Sequence, residues 1–419
     1  MIEFLWVAVA LCSGLMFTRV FKKLGINFPD VTAFLIAGII VGPNVLGRIG
    51  IEGLGFTSYE SVEKLKIISN AALGFIAFSI GSEFKMQELR KIGKQATIIG
   101  IFQAVLASAA VDVLLIVLHV VLGEDVLPLS ACIVLGAIAS ATAPAATLMV
   151  VHQYKADGPL TRLLLPVVAL DDAVGLVIFS ISLGVAQALQ GGNLNVISII
   201  VNPLLEIVCS LILGSIIGWV LSLFEKMFFS NRNRMSLSIS FVLLTIALSA
   251  LKIDIGKVTI SFSSLLVCMM LGTILCNLSE NADDIMTRVD KWTAPLNACF
   301  FVLSGAELQI EVFKNIIFVL VGLTYIVGRT AGKYFGARWS SQFMKCDNNV
   351  VKYLGITLLP QAGVALGMCK QSTVLGSAPS TIIINITLFS VLVYELVGST
   401  LTKNALQKAG DIKPLENTK

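Results

Sequence analysis

Two adjacent aspartates, Asp171 and Asp172, stand in the middle of the apolar run Val167–Ile178, and the next charge on the N-terminal side is Arg162. An aspartate at the centre of a membrane helix costs about 2.5–3.5 kcal/mol on an insertion scale, so an acid in such a place is a functional site by default. Polar residues that only glue membrane helices together are usually Ser, Thr or Asn. A carboxylate there can hold a cation and a proton by turns.

Two prolines mark what positions the acids. Pro144 and Pro360 each sit inside an apolar stretch, among Ser140, Thr142 and Ala143 in one case and beside Gln361 and Gly363 in the other. Proline removes a backbone donor and clashes with the preceding turn. Interrupted hydrophobic segments at matching positions of two halves point to a transporter binding site, because unwound backbone frees carbonyls and amides to face an ion. Thr142 and Ala143 are expected ligands. Pro144, Pro360, Gln361 and Gly363 are expected to shape the site.

The two halves are legible as a repeat. Phe78–Phe84 resembles Val302–Leu308, matched at Gly81 with Gly305 and at Glu83 with Glu307, and Ala143–Ala146 has a counterpart in Leu359–Ala362. Both matches link segments seven spans apart. An odd separation reverses orientation, which is the signature of an inverted repeat.

The chain has 419 residues, 56% hydrophobic and only 13% charged. Long, repeated apolar segments make it a polytopic membrane protein. Thirteen spans are expected near 2–20, 28–46, 66–82, 96–122, 126–151, 160–188, 194–224, 235–250, 259–277, 293–309, 314–336, 350–369 and 376–402. With that count, Lys22, Lys23, Lys85, Lys94, Lys155, Arg162, Arg232, Arg234, Arg288, Lys345 and Lys403 all fall on one side. The positive-inside rule makes that side cytoplasmic, with the N-terminus outside and residues 404–419 a short cytoplasmic tail. The first span has no basic segment before it and is expected to be retained rather than cleaved. Eight cysteines are scattered singly and the two histidines stand far apart, so no metal cluster and no cofactor are expected.

These residues resemble a known family. Pro29 through Gly38–Pro43, Gly81-Ser82-Glu83, Asp171-Asp172 and Pro360–Gly363 are similar to motifs of the monovalent cation:proton antiporter-2 branch, over essentially the whole membrane chain. The resemblance implies an all-α polytopic membrane fold with an inverted repeat and two crossing broken helices. It implies a homodimer, with a core near 66–188 and 293–402 and a dimerisation scaffold near 1–65 and 194–277. Transport would be exchange of Na⁺, or alternatively Li⁺ or K⁺, for H⁺ by an elevator-like displacement in the plasma membrane. Carried over from that resemblance, Asp172 would be the shared cation and proton site, and Asp171 would pair with a basic residue late in the core. Arg329 is the expected partner, with Lys333 reaching outward to lipid headgroups. An arginine there favours electroneutral exchange, since guanidinium does not give up its proton.

Other charges remain open. Asp112 is a supporting acid or a partner for Arg329, Glu83 and Glu307 anchor span ends, and His119 is interfacial. An intramembrane aspartyl protease is excluded, so the chain is not expected to be an enzyme: neighbouring residues on one helix point about 100° apart and cannot share a catalytic water. A channel needs a continuous ring of carbonyls or charges, which a single acidic pair beside broken helices does not supply. A K⁺ efflux system is the nearer alternative.

Overall fold

A computed structural model describes residues 2–24, 29–51, 53–82, 84–190, 196–251, 253–255, 258–307 and 316–412. In chain order the helices are α1 (Ile2–Lys23), α2 (Asp30–Val41), α3 (Tyr59–Glu63), α4 (Lys66–Ser82), α5 (Met86–Leu122), α6 (Leu129–Ile138), α7 (Pro144–Tyr154), α8 (Pro159–Leu189), α9 (Val196–Glu225) and α10 (Asn231–Ser249), then α11 (Ser264–Leu278), α12 (Ala282–Glu307), α13 (Ile316–Phe343), α14 (Asn348–Thr357), α15 (Gly363–Gln371) and α16 (Ser377–Ala409). A two-stranded antiparallel hairpin, β1 (Ile253–Ile255) and β2 (Val258–Ile260), precedes α11. Each expected span finds its helix, with two spans split: the fifth is α6 plus α7, and the twelfth is α14 plus α15. Among the described residues seven helical segments are long and apolar enough to cross a membrane, one of them running from α2 on to Ile49. The protein is an all-α polytopic membrane protein.

The chain divides into two compact units, residues 1–91 with 201–308, and residues 92–200 with 309–419. This division differs from the expected one in that α4 and α12, which carry the repeated Gly81 and Gly305, pack within the first unit. The reason lies in the glycines themselves. A Cβ on Gly81 would sit 1.8 Å from the Met269 carbonyl of α11, and one on Gly272 of α11 would sit 2.1 Å from the Phe78 carbonyl of α4. The pair α2–α12 is built alike, with Gly305 against the Leu35 carbonyl at 2.2 Å and Gly38 against the Val302 carbonyl at 2.0 Å. Small residues that let backbones touch are how membrane helices associate where water gives no driving force. The repeated glycine motif is therefore a packing motif. Glu83 lies outside the described residues, and Glu307 is exposed at the end of α12.

In the second unit α13 carries glycine at every fourth position, Gly328, Gly332 and Gly336. Cβ atoms at Gly332 and Gly336 would lie 2.5 and 2.7 Å from the Cα atoms of Ala107 and Gln103 on α5. That seam brings α5 against α13. Arg329 and Lys333 each follow a seam glycine, and both are wholly buried.

The same unit is closed at one end by a long-range cap. Helix α16 continues to Ala409, well into the expected tail, and Gly410 turns the chain in the left-handed region at φ 86°. Asp411 Oδ2 then accepts from the backbone N–H and the hydroxyl of Thr161, at 2.6 and 2.7 Å, in the first turn of α8. The Asp411 carbonyl accepts from Asp157 N–H at 3.0 Å. A carboxylate at a helix N-terminus satisfies amides that have no partner within the helix and meets the positive end of its dipole. Position 158 must be small, since a Cβ there would lie 2.2 Å from Asp411 Oδ1.

Candidate functional site

The site forms where the two broken segments meet inside the second unit. Helix α6 stops at Ile138 and α7 begins with Pro144 as its first helical residue, so residues 139–143 are not helical. Proline suits that first position, where its missing N–H is not needed, and it pushes Ala143 to an extended conformation, φ −86°, ψ 102°. Helix α14 ends at Thr357 and α15 starts at Gly363, with Pro360 between them. The two breaks touch directly: Ala143 N–H donates to the Pro360 carbonyl at 2.8 Å.

Arg329 holds this crossing together. Its Nε donates to Ala139 O at 3.1 Å, Nη1 to Leu359 O at 2.6 Å, and Nη2 to Ala141 O at 2.7 Å and Pro360 O at 3.5 Å. Apart from Pro360 O, which also accepts from Ala143 N–H, these are carbonyls left free where α6 and α14 end, at the negative poles of two helix dipoles. Tyr394 stacks on the guanidinium, with Cζ 4.5 Å from the ring centre. Gln361 closes the other side. Its amide donates to Ile138 O at 3.0 Å and Tyr325 Oη at 2.9 Å, and its carbonyl accepts from Ser390 Oγ at 2.8 Å.

Lys333 lies one turn along α13 from Arg329. Its ammonium donates to Ser140 O at 2.6 Å, Thr142 Oγ1 at 2.9 Å and Asp171 Oδ2 at 2.9 Å, which uses all three of its hydrogens. Thr142 Oγ1 donates in turn to Asp171 Oδ2 at 2.6 Å. Gln103 of α5 donates its amide to Asp171 Oδ1 and to Gly100 O. Both partners are acceptors, which fixes the amide orientation. Asp171 is thus wholly buried and fully partnered.

Asp172 is the opposite case. It is 6% exposed, and its Oδ1 is buried without a hydrogen-bond partner. A buried carboxylate oxygen with nothing to bond is costly. An incoming hard cation or a proton would relieve that cost.

The expected pairing is therefore corrected. Lys333, not Arg329, forms the ion pair with Asp171, and among the described residues Arg329 bonds carbonyls rather than a carboxylate. The error was one of depth. The expected eleventh span ends at residue 336, which puts Lys333 near a surface, whereas α13 runs on to Phe343. Ten further residues bury Lys333 about 15 Å from the helix end. Arg329 does not meet Asp112 either. Ala143 spends its N–H on the other break, so only its carbonyl remains for an ion. Thr142, Pro144, Pro360 and Gln361 are gathered as expected, and Gly363 opens α15. Gln103 and Tyr325 were missed. Each is one polar group in an apolar stretch, and only the α13 glycine spacing hints that α5 comes so close.

A family model described as sodium/hydrogen exchanger, transmembrane, matches residues 7–403. The ammonium/H⁺ antiporter subunit AmhT of Alkalihalophilus pseudofirmus is 23% identical over 337 residues, 77% of this chain and 77% of that protein. The high-affinity Na⁺/H⁺ antiporter NhaS3 of Synechocystis is 23% identical over 378 residues, 82% of this chain and 77% of the relative. Two structures of the sodium proton antiporter MjNhaP1 from Methanocaldococcus jannaschii share the fold. One has a TM-score of 0.65 at 19% identity, covering 97% of this chain and 99% of that one. The other has a TM-score of 0.70 at 18% identity, covering 98% of each. With a family match over nearly its whole length, and two broken helices crossing beside an aspartate pair, the chain belongs to the transmembrane sodium/hydrogen exchanger family.

Proposed function

We propose that the protein is a secondary active transporter that exchanges a monovalent cation, Na⁺ foremost, for H⁺ by elevator-type alternating access, with Asp172 as the shared site. The observation that carries this is the contrast within the pair. Asp171 holds every donor in reach, whereas Asp172 keeps a buried oxygen free. One carboxylate cannot hold a proton and a cation together, so occupancy by one expels the other. The second unit is the moving body and the first the scaffold of a homodimer in the plasma membrane, with the N-terminus outside.

The test is cation-driven proton release in proteoliposomes, scanned over Na⁺, Li⁺, K⁺ and ammonium, the last because one relative is named for it. Apparent cation affinity should weaken as pH falls through the working range. An affinity independent of pH would sink the shared site.

The Lys333 pair also revises the expected stoichiometry. An ammonium can surrender its proton, whereas a guanidinium stays charged. When Asp172 takes up a cation, Lys333 can release a second proton, and the cycle becomes electrogenic. Transport rates in liposomes clamped at opposite potentials should follow the potential, and rates blind to it would return the reading to one-for-one exchange.

A further inference from the structure

One intramembrane acid has no role in the site just described. Asp112 lies on α5, within the apolar stretch Gly93–Leu122. Its carboxyl group rests against α6 where that helix carries Gly136: a Cβ there would fall 1.8 Å from Oδ1 and 2.4 Å from Cγ. Oδ1 is shielded from solvent and has no hydrogen-bond partner, while the residue as a whole is only half-buried. It therefore has one sequestered oxygen and some access to its surroundings.

The groups around it offer no countercharge. From α6 the nearest titratable side chain is Cys132, whose thiol donates to Leu115 O at 3.5 Å. From α13, Arg329 is committed to carbonyls and Lys333 to Asp171. The acids of α8 lie at the level of Gln103, nine residues back along α5 and so about 13 Å away along the axis. Toward the other end of α5, His119 follows seven residues on, the same face and about 10 Å further. Its Nδ1 lies 2.7 Å from Leu127 O and 3.6 Å from Glu124. Among the described residues no cation pairs with Asp112. An unpaired carboxylate in an apolar span is tolerable if it takes up a proton.

We propose that Asp112 is a second proton-carrying site: a carboxylate in the outer half of the membrane that takes up H⁺ and gives it up again in each transport cycle. The step is a simple protonation, H⁺ adding to a carboxylate oxygen to give the acid and leaving again to water. This rests on the antiport reading and on the orientation given above. It extends them by a site that the aspartate pair does not need in order to bind its cation.

The deciding experiment compares Asp112→Asn with Asp112→Glu in proteoliposomes of the full chain driven by Na⁺. Asparagine copies the shape of the protonated acid but carries no exchangeable acid proton. The proposal expects turnover to fall on the order of a hundred-fold in Asp112→Asn, with apparent Na⁺ affinity unchanged, and to recover in Asp112→Glu. Wild-type turnover in Asp112→Asn overturns it, because a purely structural neutral acid is well replaced by an amide. If Asp112→Asn does not fold, infrared difference spectra between acid and alkaline pH decide. The carboxylic C=O band of the wild type must change frequency in Asp112→Glu, and an unmoved band overturns the proposal. A wild type that exchanges none of the four cations would instead refute the antiport reading, and the infrared result would still stand on its own.

Discussion

In the first unit the tightest helix contacts are glycine against backbone on both sides, Gly81 with Gly272 and Gly38 with Gly305. In the second, glycines on one face of α13 admit α5, while the adjoining stripe of the same helix, about 100° round, pushes an arginine and a lysine into broken backbone. The first arrangement leaves little to rearrange: carbonyl touches Cα, and a single added methyl collides. The second is a lattice of directional bonds around charges, each replaceable by an ion, a proton or another donor. Glycine packing suits a frame, and a hydrogen-bonded charge lattice suits a site that must empty and refill.

The sharpest way to break this comparison is Asp172→Asn. Exchange should fall on the order of a hundred-fold or more while the thermal unfolding temperature of the purified protein does not drop, since the free oxygen supports no packing and its charge is costly to bury. Undiminished exchange would remove the functional half of the contrast. Next in size is Lys333→Met. It strands a buried Asp171 and should cost about 3–5 kcal/mol of stability, read as a lower unfolding temperature. Adding Asp171→Asn should restore part of it, and no restoration would show that the ion pair is not what holds the lattice. Third, Gly272→Ala tests the frame. It should cost about 1–3 kcal/mol by overpacking, while the folded fraction keeps its Na⁺ affinity; altered affinity would show that the frame is not mechanically passive. The smallest expected effect is Asp411→Ala, about 1 kcal/mol for a lost helix cap, with Asp411→Asn retaining most of it.

The thirteen spans were legible because apolar length is a strong signal. Their breaks were legible only in part. Pro166 in α8 and Pro295 in α12 also sit inside apolar helices, yet those helices run through them. What separates Pro144 and Pro360 is a partner: Arg329 and Gln361 satisfy the carbonyls that the breaks expose. A proline announces that a helix can break, and a distant side chain decides whether it does. The exchange of roles between Arg329 and Lys333 has a similar origin, since both lie on one face of α13 and only the true end of that helix fixes which meets Asp171. Gln103 stayed hidden because one amide in an apolar run has no pattern to betray it. The glycine motifs were legible as a repeated motif, but which helices they pack against was not, because the same glycine serves a frame or a site equally well.

The cap on α8 has a consequence in time. Thr161 and Asp411 are 250 residues apart in sequence. At a synthesis rate of about 5–20 residues per second, the helix bearing the aspartate pair waits on the order of 12–50 s for its cap. The crossing of the two breaks waits almost as long, from Ala143 until Pro360 has been made. For the 162 residues that follow Asp171 no lysine has yet been made to stand beside it, and the amides at the start of α8 stay open until Asp411 arrives. What α13 and the turn after α16 will later cover must meanwhile find other partners, because buried polar groups are costly to leave unpaired.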